Sequence, residues 1–249
     1  MGPGAFAAAL AAGAGAGLSG YLTGQASIIS YPVLLALGLP PVTANATSTV
    51  GLIATGMGST VQGVRSFLPD VDRHRLGLQL IGAAAGGVAG ALLLLVGGQA
   101  AFSCVVPWLV VLSSALLLAA PRLKRMQHGR AWPGWAHGLA IMLVFVYCGY
   151  FGAGAGLMYV TVTLIATRLP LGRIMYVKAL LIAVTNLTAA LCFVVSGAVD
   201  WPAAVALAIG AFAGGSLGPV LQPRIPERVL RRVMAAAGLV LAIWLWTRA

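Results

Sequence analysis

The chain consists of long apolar runs separated by short polar or proline-rich gaps, and few folds are compatible with that pattern. A run of about 20 apolar residues crossing a hydrocarbon layer about 30 Å thick meets no water to satisfy its backbone N–H and C=O groups, so it must be helical. Separating runs from gaps gives ten segments, at about 5–23, 25–38, 42–68, 74–97, 99–120, 133–152, 154–168, 171–197, 201–222 and 228–247. The expected fold class is therefore an all-α polytopic membrane protein. Composition agrees: 60% of the 249 residues are hydrophobic and 8% charged, with mean hydropathy +0.99, far outside the range of soluble domains. The net charge of +11 arises from 15 Lys and Arg against 4 acids. These basic residues cluster in the gaps, where they act as topology signals, and no nucleic-acid partner is expected. The N-terminus, MGPGAFAAAL, lacks the basic stretch of a signal peptide, so the first apolar run is expected to stay in place.

Two of the ten segments are too short. A helix over 25–38 reaches about 21 Å at 1.5 Å per residue, well under the apolar thickness, and 154–168 is little longer. Both begin at glycine-rich sequence: GYLTGQAS spans residues 20–27 and GYFGAGAG residues 149–156. A glycine costs a helix interior about 1 kcal/mol relative to alanine, so breaks are expected near Gly24–Ser27 and Gly152–Gly156.

The two short segments recur because the halves of the chain resemble each other. GAAAGGVAG (82–90) and GAFAGGSLG (210–218) agree at six of nine positions at an offset of 128. Leu39-Pro40 and Leu169-Pro170 match at 130, and Gly20-Tyr21 and Gly149-Tyr150 at 129. The chain divides accordingly into a first membrane repeat (1–120), a cytoplasmic linker (121–132) and a second membrane repeat (133–249), each repeat with five helical segments of which the second is broken or re-entrant. If the linker is cytoplasmic and each short segment returns the chain to its starting side, 14 of the 15 basic residues fall inside and Arg248 alone outside. The repeats are then inverted. Inverted repeats with a broken element in corresponding positions point to a secondary transporter whose site lies between the repeats, and the exposed N-termini of two short helices favour an anion there.

The first-repeat run GYLTGQASIISYPVLLALGLPPVTANATST, its degenerate copy GYFGAGAGLMYVTVTLIATRLPLGRIMYVKALL and the paired GAxAGGxxG segments resemble the sulfite exporter TauE/SafE family, also called the toluene sulfonate uptake permeases. The resemblance covers nearly the whole chain. It implies transport of small sulfur-containing or carboxylated anions, such as sulfite, sulfonates or sulfoacetate, across a bacterial inner membrane.

Lys178 is the most informative candidate. It lies five residues beyond Arg173, about 7.5 Å deeper on a helix; it either faces the cavity as a point charge for an anion or snorkels to the cytoplasmic interface. Ser48 aligns with Lys178 at the 130 offset and sits in the polar turn Asn45, Thr47, Ser48 and Thr49. Such groups coordinate an oxyanion without fixed charge, or bond their own backbone and a neighbouring helix. Asn186 lies in an apolar run and needs a partner. Gln25, Ser27 and Tyr31 flank the first break, and Gly154, Gly156 and Tyr159 the second. Gly82, Gly86 and Gly90, and Gly210, Gly214 and Gly218, recur every four residues and are expected to let helices approach closely.

No catalytic residue, cofactor or metal site is expected. Cys104, Cys148 and Cys192 lie in separate apolar runs, as packing residues do. Gly15, Gly17 and Gly20 spell G-x-G-x-x-G without the strand and helix that a dinucleotide fold requires. Asp70, Asp72, Asp200 and Glu227 all fall in gaps, which leaves no buried carboxylate relay and favours uniport or coupling through substrate protonation. The expected function is an exporter or uniporter of small sulfur-containing anions; an anion channel and a carrier of small carboxylates are the alternatives. A homodimer is left open by the sequence.

Overall fold

The computed structural model describes residues 1–60, 73–125, 132–167, 169, 171–221 and 227–247. Among these every regular element is an α-helix: α1 (Pro3–Thr23), α2 (Ser27–Ala36), α3 (Pro41–Thr60), α4 (Arg73–Arg125), α5 (Gly134–Tyr150), α6 (Ala155–Ala166), α7 (Leu171–Val195), α8 (Trp201–Leu221) and α9 (Glu227–Trp246). Prolines sit at or just before the starts of α1, α3 and α5, where a missing N–H removes no helical hydrogen bond. Helix α4 is interrupted at Gly98, whose φ of 69° and ψ of −174° are not helical. Divided there into arms 73–97 and 99–125, α4 supplies the fourth and fifth expected segments, and all ten then appear in order. After the interruption, Gln99 Oε1 accepts the Val42 N–H at 2.7 Å, satisfying a free donor in the first turn of α3.

The differences lie at the ends of segments. Helix α4 continues through Arg125, so the first residues of the expected linker are helical; residues 126–131 lie outside the described residues, as does the end of the third expected segment at 61–68. Several basic residues used to orient the chain, namely Arg65, Arg130, Arg168, Arg224 and Arg248, are likewise outside them, as are Asp70 and Asp72.

Among the described residues four helices are long and apolar enough to cross a membrane, over Pro3–Thr23, Arg75–Leu116, Val177–Val195 and Trp201–Gly218. The second of these holds 42 residues, about twice what a single crossing needs, and it contains the Gly98 interruption. Large apolar side chains such as Ile81, Val96, Leu143, Val195 and Val240 point outward from the bundle. A lipid surround accommodates an apolar exterior of this extent, and the chain is a multi-pass membrane protein.

Helices in lipid gain little from the hydrophobic effect when they associate, so close packing of backbone on backbone has to hold them. Helices α1 and α8 meet through such an interlock. A Cβ on Gly210 would collide with Leu10 O, one on Gly214 with Ala14 O, and one on Gly13 or Gly17 with Leu207 or Ala211. Helices α4 and α5 meet in the same way, with Gly86 against Phe145, Gly90 against Val146 O and Gly149 against Gly87. Two further glycines bring in a third helix on each side: Gly87 abuts Thr185 O of α7, and Gly215 abuts Thr55 O of α3 at 2.8 Å from its notional Cβ. The rows of glycine in the sequence are thus the seams of the bundle.

A side chain larger than hydrogen at these seams forces helices apart. Gly214→Val is expected to lower stability by about 1–3 kcal/mol or to prevent folding, whereas Gly77→Ala, a helix position with nothing within 4 Å of the added methyl, should be neutral or stabilising by up to about 1 kcal/mol. Thermal unfolding of the two variants in detergent checks the contrast.

Candidate substrate site

The two short helices begin where the glycine breaks fall. Gly24 follows α1 in the left-handed region at φ 75°, and its N–H donates to Gly20 O at 2.9 Å, closing that helix before α2 starts at Ser27. On the other side α5 ends at Tyr150, Gly152 and Gly154 adopt φ of 80° and 76°, and α6 starts at Ala155. With 10 and 12 residues, α2 and α6 are each under about 20 Å long, and neither is among the four long apolar helices.

The N-termini of both short helices border one cavity of about 390 Å³, within the range of small-ligand pockets. Its walls are the end of α1, the two breaks, and the facing stretches of α3 and α7. The α3 wall presents Thr49, Leu52, Ile53 and Gly56, and the α7 wall presents Ala179, Ile182, Ala183 and Asn186. Each residue of the first set lies 130 positions before its counterpart in the second. Leu22 and Phe151, and Ser27 and Gly156, which also line the cavity, are 129 apart. The cavity is thus walled by corresponding positions of the two halves.

One charged side chain enters this otherwise neutral lining. Lys178 borders the cavity and lays its stem against α6, with Cδ 3.4 Å from where a Cβ on Gly156 would stand. Any larger residue at 156 would press on that stem. No carboxylate is among the described lining residues, and the two described acids, Asp200 and Glu227, lie at the starts of α8 and α9, where Asp200 Oδ1 accepts the Ala203 N–H at 3.0 Å. Asn186, which borders the cavity, accepts from the Cys148 thiol on Oδ1 at 3.4 Å. Thr55 adds a buried hydroxyl without a hydrogen-bond partner to the same wall. An ammonium, amide donors, hydroxyls and helix N-termini in an apolar shell suit an anion of a few heavy atoms.

Of the sequence candidates, Ser27, Thr49, Gly156, Lys178 and Asn186 line the cavity. Gly154 stands just behind it as the N-cap of α6, packed on Ser113. Gln25 is fully buried beside that glycine; its amide donates to Ser113 O at 3.1 Å while Oε1 has no partner. Asn45 donates to Tyr150 O at 3.0 Å, joining α3 to the end of α5. Thr47 Oγ1 accepts the Asp200 N–H at 2.9 Å, and Ser48 Oγ shares a 2.6 Å hydrogen bond with Ser30. Tyr31 packs edge-on against Phe102 and Phe151, with centroids 6.0 and 5.7 Å away. Tyr159 stacks on Phe145 at 6.2 Å and faces a different cavity. Leu52, Ile53 and Thr55 were not singled out from the sequence. Extending the α3 face by one turn from Thr49 reaches Leu52 and Ile53, so helical spacing held that signal, whereas Thr55 lies about 120° round the helix and had none.

The family model for the sulfite exporter TauE/SafE family matches residues 9–245. The chain belongs to that family of membrane transporters. Two curated relatives agree with the assignment. The probable membrane transporter protein YfcA of Escherichia coli K12 is 24% identical over 228 residues, covering 91% of this chain and 84% of the relative. The probable membrane transporter protein ORF9 of a Sinorhizobium species is 25% identical over 232 residues, covering 92% and 87%. No solved structure matches the chain.

The two breaks differ in what surrounds their left-handed glycines. Gly24→Ala meets open space and should cost only the backbone strain, roughly 1–2 kcal/mol. Gly154→Ala has the same strain and also places its methyl 2.9 Å from Ser113 Cβ, so it should be the more destabilising of the two. Parallel thermal melts give the order.

Proposed function

We propose that the protein is a secondary transporter of small sulfur-containing anions such as sulfite, sulfonates or sulfoacetate. Its binding site is the cavity between α3 and α7, at the interface of two inverted repeats. The observation that carries this is the lining itself: six pairs of positions 129 or 130 apart border the cavity together with both glycine breaks, and Lys178 is the cation among them. Other contacts support a two-fold relation between the halves, which an inverted repeat requires. Gly87 against Thr185 and Gly215 against Thr55 are the same contact at offsets of 128 and 130, as expected if each half places its fourth segment on the third segment of the other.

In this reading Lys178 pairs with the anion's charge, while Ser27, Thr49, Thr55 and Asn186 complete its coordination. The N-termini of α2 and α6 add their partial positive charge, a contribution of about 0.3–1 kcal/mol each. The protein moves its substrate without transforming it, and residence in a bacterial inner membrane fits the charge asymmetry of its gaps. With the cell interior negative, each unit of anionic charge gains about 2.3 kcal/mol per 100 mV on leaving, which favours export.

Lys178→Gln removes the charge and keeps most of the volume. Losing a hydrogen bond to a charged group costs about 1.5–3 kcal/mol, so sulfite or sulfoacetate affinity should fall about ten- to a hundredfold while the melting temperature changes little. Calorimetric titration measures this. Flux in proteoliposomes should saturate with substrate and be stimulated by substrate on the far side; flux that rises linearly without saturation would replace the carrier with a channel. Affinity unchanged in Lys178→Gln would remove the lysine from the site.

A further inference from the structure

A second, larger cavity of about 590 Å³ opens among the first turns of α4, α5 and α7 and the last turns of α6. Its walls carry Arg75, Arg173, His137, Gln79, Thr163 and Thr167, and no carboxylate is among the described lining residues. Two polar atoms on its wall are buried without a hydrogen-bond partner, His137 Nε2 and Thr163 Oγ1. The Thr163 hydroxyl lies near the Tyr159 phenol one turn back without completing a hydrogen bond, and the residue is 2% exposed. Buried donors left unpaired cost free energy unless a guest satisfies them. Two guanidiniums with an imidazole and a hydroxyl form a donor set suited to an oxyanion.

The cavity lies at the end of the bundle that carries Arg75 and Arg173. It is also separate from the cavity at Lys178. The stacked rings of Phe145 and Tyr159, 6.2 Å apart and 19° from parallel, border it, and α7 turns Val177 to this cavity and Lys178 to the other.

We infer that the arginine-lined cavity is a second oxyanion-binding site, which takes a sulfite, a sulfonate or the phosphate of an anionic lipid headgroup. Its chemistry stands on its own walls; its role as the position from which an anion passes to Lys178 rests on the transporter function proposed above.

The test is equilibrium binding of radiolabelled sulfite to the purified full-length protein in zwitterionic nanodiscs, with and without phosphatidylglycerol. Wild type should bind two sulfite ions per chain. Lys178→Gln should bind one, and that remaining event should weaken at least tenfold when Arg75→Gln and Arg173→Gln are added. Arg75→Lys with Arg173→Lys should restore part of it, which separates lost charge from lost fold. Phosphatidylglycerol that displaces only the arginine-dependent ion identifies the lipid headgroup as the occupant; no displacement identifies the free anion. Binding to Lys178→Gln protein that is indifferent to both arginine substitutions overturns the site, as does a wild-type stoichiometry of one that vanishes in Lys178→Gln. If Lys178→Gln instead leaves two ions bound and the arginine pair removes one, this site stands and the role of Lys178 falls.

Discussion

Close approach of helix backbones at glycine is the condition on which the other features depend. In lipid, apolar side chains gain nothing by leaving one apolar medium for another, so α1 and α8, and α4 and α5, are held by dispersion across seams where a Cβ would overlap a carbonyl. Those seams form a frame that brackets the breaks. Only inside such a frame can α2 and α6 stop short of a membrane's thickness, because the N–H groups they leave unpaired then face protein and cavity instead of hydrocarbon. Loosening a seam would therefore affect the cavity as well as stability.

Much of the architecture was legible because its causes are local. Run length and glycine density located the segments, including the boundary at Gly98, and offsets of 128 to 130 linked the two glycine rows before any helix was placed. Rotation about each helix axis was not legible. Ser48 and Thr49 are equally polar neighbours, about 100° apart on α3; Ser48 turns to Ser30 in α2, while Thr49 turns to the cavity. Asn45 and Thr47 are engaged by the end of α5 and the start of α8, partners 105 and 153 positions distant that no local pattern announces. For Lys178 the sequence left two orientations, cavity or interface; the residue borders the cavity and its stem lies against Gly156. A glycine at 156 leaves room for that stem, which links two features the sequence offered separately.

In the proposed repeat arrangement the halves differ both at the seams and around the cavity. Helices α4 and α8 both keep glycine, Gly86 and Gly90 answering Gly214 and Gly218, whereas Gly13 and Gly17 of α1 answer Met142 and Val146 of α5. Around the cavity the copies differ: Ser27 answers Gly156, Gly56 answers Asn186, and Ser48 answers Lys178. In each pair one half supplies a polar or charged group and the other a small or differently engaged residue. In the proposed arrangement the site is therefore chemically one-sided, which a strictly symmetric dimer could not achieve.

That one-sidedness bears on the charge of the proposed substrate. A single ammonium in an apolar cavity attracts an anion strongly because the effective dielectric is low, but the same low dielectric penalises any charge left over. A monoanion such as a sulfonate, a carboxylate or bisulfite would form a neutral pair with Lys178, with the α2 and α6 N-termini and the Thr55 and Asn186 side chains to coordinate its remaining oxygens. A dianion, whether sulfate or a fully ionised sulfite or sulfoacetate, would leave one negative charge opposed only by helix dipoles and neutral hydroxyls, whose combined contribution is a few kcal/mol at most, so bisulfite and simple sulfonates are the proposed substrates that fit best. Among oxyanions of similar size, the cavity should therefore discriminate by charge before shape.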